Sequence, residues 1–244
     1  PGNQGQTLLT VAEQAYKTDT GRQRHANEDS YFAQPPVFAV ADGMGGAQAG
    51  EVASRIAAGA FEKGVDEGAS AEGQLEEIAQ GANREIHDLA QKDSSRAGMG
   101  TTLTAALVHD DEVALGHVGD SRAYVLRDGE LKRLTKDHSL VEELRRQGRL
   151  TEEQAEEHPQ RSIITRALGP EPEVNVDTMT FPAKDGDVFL LCSDGLSNEV
   201  GEQEIAGALL SGNCQQASNT LIDLALKRGG RDNVDRNSVS TIFI

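Results

Sequence analysis

Val37-Phe38-Ala39-Val40-Ala41 runs into Asp42-Gly43-Met44-Gly45-Gly46, and the same order returns downstream as Val188-Phe189-Leu190-Leu191-Cys192 followed by Ser193-Asp194-Gly195. Each apolar run is too continuous for a half-exposed strand and too short for a helix, so both read as buried strands that deliver an aspartate at their end. A strand holds its last residue in place, and glycines beyond it let backbone and solvent crowd close to the carboxylate. Two carboxylates presented in this way can meet at one site for a hard cation. Elsewhere, Asp110-Asp111, Asp128-Gly129 and Asp185-Gly186 read as plain turns.

Outward from these strands, Val11 to Lys17 alternates loosely, and Ala49 to Phe61 is helical with Val52, Ile56 and Ala60 on one face. Leu75, Ile78, Ala82, Ile86 and Leu89 continue at helical spacing, so a second amphipathic helix is expected to pack on the first. Leu103 to Val108, Val113 to Val118 and Ala123 to Leu126 are short apolar segments broken by turns, which predicts an antiparallel meander. Ser139 to Glu157 returns to helix with Leu140, Val141, Leu144 and Leu150 as its apolar anchors, which suits a surface element acting as a mobile flap. Helices around Glu202 to Leu210 and Gln215 to Lys227 precede a last alternating strand, Val239 to Ile244. Strands in the middle with helix pairs outside is the arrangement this order predicts.

The 244 residues contain no linker, repeat or apolar stretch long enough to span a bilayer, so one soluble globular domain over 1–244 is expected. Residues 1–6 have neither the basic start nor the apolar middle of a signal peptide and read as a flexible end. The two cysteines, Cys192 and Cys214, suit structural thiols in a reducing compartment better than a disulfide framework. A formal net charge of -17 argues against nucleic acid as a partner, because such binding draws most of its affinity from basic groups. Glu152-Glu153 and Glu156-Glu157 read as a solvated face.

Further acids sit at glycine-flanked junctions or just before apolar runs: Glu28-Asp29 after Arg24, Asp120 in Gly119-Asp120-Ser121-Arg122, and Asp232 in Gly229-Gly230-Arg231-Asp232-Asn233. Oxygen ligands without a matching Cys or His cluster point to magnesium or manganese rather than zinc. His117 lacks a ligand-spaced partner and reads as a satisfied core histidine. Aspartates around two hard cations are a recurrent device for displacement at phosphorus, which makes phosphoryl hydrolysis the reaction class. Arg24 supplies a planar, always-charged donor for two phosphate oxygens.

With these residues in view, the chain resembles the metal-dependent protein phosphatase family, the type 2C serine/threonine phosphatases, and its bacterial branch in particular. The matching segments are Arg24 to Asp29, Ala41 to Gly46, Met99-Gly100-Thr101-Thr102, Gly116 to Arg122, His158 to Ser162, Cys192 to Gly195 and Gly229 to Asn233. Each is short, but together they span nearly the whole chain in the family's order.

The resemblance implies an α+β fold, a four-layer αββα sandwich of two mainly antiparallel sheets packed face to face and flanked by helix pairs, with a small flap over residues 139–170. It implies that Asp42 bridges two metal ions, that Gly43 offers its carbonyl, that Asp194 and Asp232 complete the pair, and that Glu28 and Asp29 hold metal-bound waters. Arg24 would bind the substrate phosphate, and a third metal would use Asp120, Asp194 and the Ser162 carbonyl. Met99 to Thr102 is expected to pack or position a strand rather than take part in chemistry. The implied activity is hydrolysis of phosphoserine and phosphothreonine in proteins by a metal-bridging water, without a phosphoenzyme, against bacterial serine/threonine kinases and their substrates. A cytoplasmic monomer without membrane contact is expected, as is the alternative that this is the cytoplasmic catalytic portion of a longer membrane-anchored protein.

Two departures from the family pattern stand out. Animal members carry a histidine, proposed as general acid, where this chain has Met44, and a thioether cannot donate a proton. Water on the third metal is the expected substitute. Near the end, Val234-Asp235-Arg236-Asn237 intervenes before the last strand, so either Asp232 is the ligand or Asp235 has taken its place; the flanking Gly229-Gly230 and Asn233 favour Asp232. Cys192 lacks the phosphate-cradling loop of a cysteine-based phosphatase. A two-metal nuclease and a catalytically silent phosphoprotein-binding module are the competing readings, disfavoured by the acidic charge and by the retained Arg24, Asp42, Asp194 and Asp232.

Overall fold

Alternation along single strands sorts the molecule into layers. The computed structural model describes residues 10–19, 27–66, 69–228 and 237–243. In β3 (Val37–Met44), Val37, Ala39 and Ala41 join a cluster with residues of α1 (Ala47–Gly59) and α2 (Ala71–Lys92), whereas Phe38 and Val40 join a different, central cluster. In β10 (Val188–Cys192), Val188, Leu190 and Cys192 pack with α6 (Glu202–Leu210) and α7 (Cys214–Arg228), and Phe189 and Leu191 enter the same central cluster. Each strand is therefore buried on both faces, which is why its sequence is continuously apolar. The result is the expected αββα sandwich.

One sheet has the order β1 (Glu13–Asp19), β11 (Asn237–Phe243), β10, β7 (Arg122–Arg127), β8 (Glu130–Arg133). The other runs β2 (Asp29–Gln34), β3, β5 (Leu103–His109), β6 (Glu112–Val118), β9 (Asp177–Pro182), with the short β4 (Gly100–Thr101) paired to β3. All of these pairings are antiparallel. The segments around Asp110-Asp111 and Asp128-Gly129 are hairpin turns, with positive φ at Asp110, Asp128 and Gly129.

The structure departs from the sequence reading at several points. Leu103 to Leu126 is not one meander: β5–β6 and β7–β8 are hairpins in different sheets, and the chain crosses between sheets at residues 119–121. Turn residues announce a reversal, but they do not say which sheet receives the next strand. β3 continues past Asp42, because Gly43 pairs with Thr101 and Met44 with Gly100. Ser139 to Glu157 is two short helices, α3 (Leu140–Arg146) and α4 (Glu152–Glu156), interrupted at Gly148 with φ +70°.

On α1 the fully buried line is Ala53 and Ala57, continued by Phe61 in the turn that follows the helix, while Val52, Ile56 and, in that turn, Ala60 pack partly buried beside it. Small residues are needed there because helix and strand come very close: a Cβ on Gly43 would lie 2.0 Å from the Gly50 carbonyl oxygen. The strands β2, β8 and β9 and the short helix α5 (Asp194–Ser197) had no periodic signal strong enough to predict them. Among the described residues no helix is long and apolar enough to cross a membrane.

Candidate metal centre

Four strand ends meet where the chain changes sheets. Because β3 pairs antiparallel with β5, and β10 with β7, the exits of β3 and β10 lie beside the entries of β5 and β7. Asp42 has the parity of Phe38 and Val40, so its side chain lies on the face between the sheets. Asp29 opens β2 directly opposite Asp42 in register. Asp120 lies on the crossing between β6 and β7, and Asp194 begins α5 just after β10. Local pairing thus gathers acids that are far apart in the sequence.

Backbone and hydroxyl groups fasten this cluster. Thr102 Oγ1 accepts a hydrogen bond from the Asp42 N–H at 2.9 Å and is bonded to Ser121 Oγ at 2.8 Å. Thr101 Oγ1 donates to the Asp42 carbonyl at 3.0 Å, and the Thr102 N–H donates to the same oxygen at 2.9 Å. Ser193 Oγ donates to Asp29 Oδ2 at 2.9 Å. The Gly43 N–H donates to the Glu28 carbonyl at 3.2 Å, and the Glu28 carboxylate is fully buried against Gly50. The expectation that Met99 to Thr102 positions a strand holds.

The cluster is electrostatically crowded. Burial, followed by the charges of Asp29, Asp194 and Asp120, holds the Asp42 carboxyl well above the usual carboxylate range. Burial and then Asp194 do the same for Asp120. Asp194 is raised chiefly by desolvation, with Asp42 and Arg122 pulling the other way. The contact between Asp42 and Asp194 raises the first carboxyl and lowers the second, so the two do not ionise independently. Asp120 Oδ1 is buried without a hydrogen-bond partner among the described residues. An oxygen-only cluster of crowded, largely buried acids fits a hard divalent cation, which supplies the missing positive charge.

The described residues do not form a closed shell: among them no three carboxylate, imidazole or thiolate groups surround a single point. Two of the expected groups, Arg24 and Asp232, lie outside the described residues, as does the Val234-Asp235-Arg236 insertion. Ser162 is exposed on the loop after α4, and no hydrogen bond ties it to Asp120 or Asp194 among the described residues. Its neighbour Arg161 is close enough to act on Glu199, which in turn feels Asp194.

Several residues around the site were not singled out from the sequence. Ser193, Ser121 and Asp137 are the clearest; Asp137 accepts from Arg122 Nη2 at 2.8 Å and offsets that guanidinium beside the acid cluster. Nothing in their spacing marks them, because the contacts join different elements. His117 is the expected core histidine, with Nδ1 2.9 Å from Thr104 Oγ1, Nε2 3.0 Å from the Lys136 carbonyl, and burial lowering it to about 4. Cys192 and Cys214 are buried free thiols, and burial pushes Cys192 up to about 12, far from a thiolate nucleophile.

A four-layer αββα sandwich with a buried acid cluster where its two sheets exchange chain defines the metal-dependent phosphatase architecture. The chain belongs to the protein phosphatase 2C family, whose sequence model matches residues 21–222. It is 44% identical to the serine/threonine protein phosphatase PstP of Mycobacterium tuberculosis over 231 residues, which cover 93% of this chain and 44% of that protein. With the serine/threonine phosphatase stp of Listeria monocytogenes it shares 41% identity, covering 90% of this chain and 92% of the relative. Among solved structures, the catalytic domain of PstP in complex with two manganese ions superposes with a TM-score of 0.87 at 38% identity, covering 96% of this chain and 99% of that one. The chain therefore spans less than half of the mycobacterial relative and nearly all of the Listeria one.

Proposed function

We propose that this chain is a manganese- or magnesium-dependent protein phosphatase that hydrolyses phosphoserine and phosphothreonine in proteins. The observation that carries the reading is the convergence of buried Asp29, Asp42 and Asp120 with half-buried Asp194 at the junction of the sheets. The groups that would hold two ions are Asp42, the Gly43 carbonyl, Asp194 and Asp232, with Glu28 and Asp29 orienting water around them. A third ion would use Asp120, Asp194 and the Ser162 carbonyl. Such ions, when bound, lower the pKa of water for direct attack on phosphorus and screen the phosphoryl oxygens.

The chain's own residues do the rest. Arg24 clamps the phosphate through paired N–H donors. Asp42 is held rigid through both of its backbone groups by Thr101 and Thr102, so its carboxylate spends little entropy on becoming ordered. Met44 offers no proton to the departing serine or threonine oxygen, so that proton comes from solvent, and Asp120 is the carboxylate on which its delivery depends. Neither cysteine takes part, and no phosphoenzyme forms. The substrates are phosphoproteins made by bacterial serine/threonine kinases, encountered in the cytoplasm, either by this chain alone or by a longer protein of which it is the catalytic portion.

The direct test is release of phosphate from para-nitrophenyl phosphate and from phosphothreonine peptides with manganese, abolished by a chelator. Protein that binds manganese but turns over neither substrate would overturn the reading in favour of a binding module. Asp120→Ala with unchanged peptide turnover would remove the proton-delivery role. Loss of metal affinity in Asp235→Ala but not in Asp232→Ala would reassign that ligand.

A further inference from the structure

The residue before Asp120 is held by one distant side chain. Gly119 donates its N–H to His138 Nδ1 at 3.0 Å, and its carbonyl accepts the His138 N–H at 2.7 Å. Both backbone groups of Gly119 are thus gripped by the same residue. Gly119 sits at φ +110°, and a Cβ there would lie 2.6 Å from Thr102, the residue that bonds the Asp42 N–H. Moving Gly119 therefore disturbs Asp120 along the chain and Asp42 through Thr102.

The other side of His138 faces the flap. An Nδ1 that accepts from Gly119 leaves the neutral ring's proton on Nε2, where it donates to Asp177 Oδ2 at 3.0 Å. Arg166 Nη1 donates to Asp177 Oδ1 at 2.6 Å and lies 3.0 Å from His138 Nε2 itself, which cannot accept from it while it carries the ring's proton, so the pair Asp177 and Arg166 sets the tautomer. The His138 carbonyl accepts the Thr165 N–H at 2.9 Å, and the Ser139–Ile164 bridge follows at once, so His138 lies at the root where the flap begins and ends. The ring of His117 lies 4.9 Å away, itself tied to Thr104 and Lys136. A histidine filling space in a core needs none of these directional contacts.

We propose that His138 is a positioning residue for the reaction: it sets Asp120 through the backbone of Gly119 and couples that carboxylate to the root of the flap. The inference rests on the reading of Asp120 as part of the metal site. It leaves the phosphatase assignment itself untouched.

Asparagine places an acceptor near the Nδ1 position and glutamine near the Nε2 position, so the two substitutions separate the proposed contact from general packing. Manganese binding by calorimetry and turnover of a phosphothreonine peptide are read together. His138→Gln is expected to lose about tenfold in kcat, the value of one misplaced buried hydrogen bond, together with the part of manganese binding that Asp120→Ala removes. His138→Asn is expected to keep most of both. In an Asp120→Ala background, His138→Gln should cost nothing further.

Equal losses in the two variants, or a His138→Gln loss that multiplies in full with Asp120→Ala, would overturn the proposal. Wild-type protein without turnover would sink the phosphatase reading, while the binding isotherms would still decide the role of His138. Should both variants fail to fold, Asp177→Ala keeps the test open, because that side chain is 53% exposed and its loss leaves Nε2 facing the Arg166 Nη1 donor, which favours the tautomer with its proton on Nδ1 and no acceptor for Gly119. Faster hydrogen exchange at the Gly119 amide is then expected, and unchanged exchange would refute the coupling.

Discussion

Asp29 and Asp42 face each other as directly paired residues of β2 and β3, and Asp29 is held by Ser193 from the opposite sheet. Like charges in such a pair repel, and here both are buried among further acids. The fold has kept an arrangement that costs stability until a cation arrives. Asp42→Asn is therefore expected to raise the melting temperature of chelator-treated protein by a few degrees, while abolishing both the rise on adding manganese and all turnover. Thermal melts with and without manganese check it, and a variant less stable than wild type in chelator would contradict the crowding argument.

Thr102 is fully buried and satisfies the Asp42 N–H through its hydroxyl. Valine has nearly the same shape but no acceptor, so Thr102→Val leaves that N–H and Ser121 Oγ unsatisfied. The expected cost is about 1–3 kcal/mol in denaturant unfolding, with a fall in kcat of at least about tenfold as Asp42 loses its fixed position. A stability loss without any loss of turnover would show that Asp42 is positioned by other means.

The legible parts of the fold were those whose signal is local. Val188 to Cys192 and Glu202 to Leu210 appear with the bounds their periodicity predicts, because each is apolar on a face the neighbouring layer covers. β9 was not legible: its alternating Met179 and Phe181 are half-buried at a sheet edge, where the pattern is weak. The crossing at 119–121 was not legible either, since a turn has the same composition whether the next strand joins the same sheet or the opposite one. In the site, Asp42 and Asp194 stood out because glycines follow buried strands. Ser193 did not, because its role is a bond to Asp29 in the other sheet.

Gly50 separates helix propensity from site geometry. Alanine in a helix interior is usually worth about 1 kcal/mol over glycine, yet a Cβ here would meet Glu28 Oε2 at 2.6 Å and the Gly43 carbonyl carbon at 2.9 Å. Gly50→Ala is expected to destabilise by about 1–3 kcal/mol and to depress turnover by displacing Glu28 and Gly43, without altering any acid. Gly81→Ala in α2 is the control, because its nearest new neighbour is 3.9 Å away and the propensity gain should survive. Equal effects of the two substitutions in urea unfolding would remove the close approach of α1 and β3 from the explanation.

His117 sets a pH dependence whose sign is opposite to that of the acid cluster. Burial, then the neighbouring His138, lowers it from 6.5 to about 4, so between these values the unfolded chain binds a proton that the folded one refuses. Its contribution is complete above pH 6.5 and is lost as pH falls toward 4, amounting to about 3 kcal/mol over the window. The raised carboxylates of the centre act the other way in metal-free protein, since they are more easily neutralised when folded. The informative quantity is thus the difference between wild type and His117→Asn, followed by denaturant unfolding from pH 7 to 4.5 in chelator. That difference should shift in favour of the variant as pH falls, and a pH-independent difference would mean that the ring accepts a proton in place, between Thr104 and Lys136, without strain on the fold.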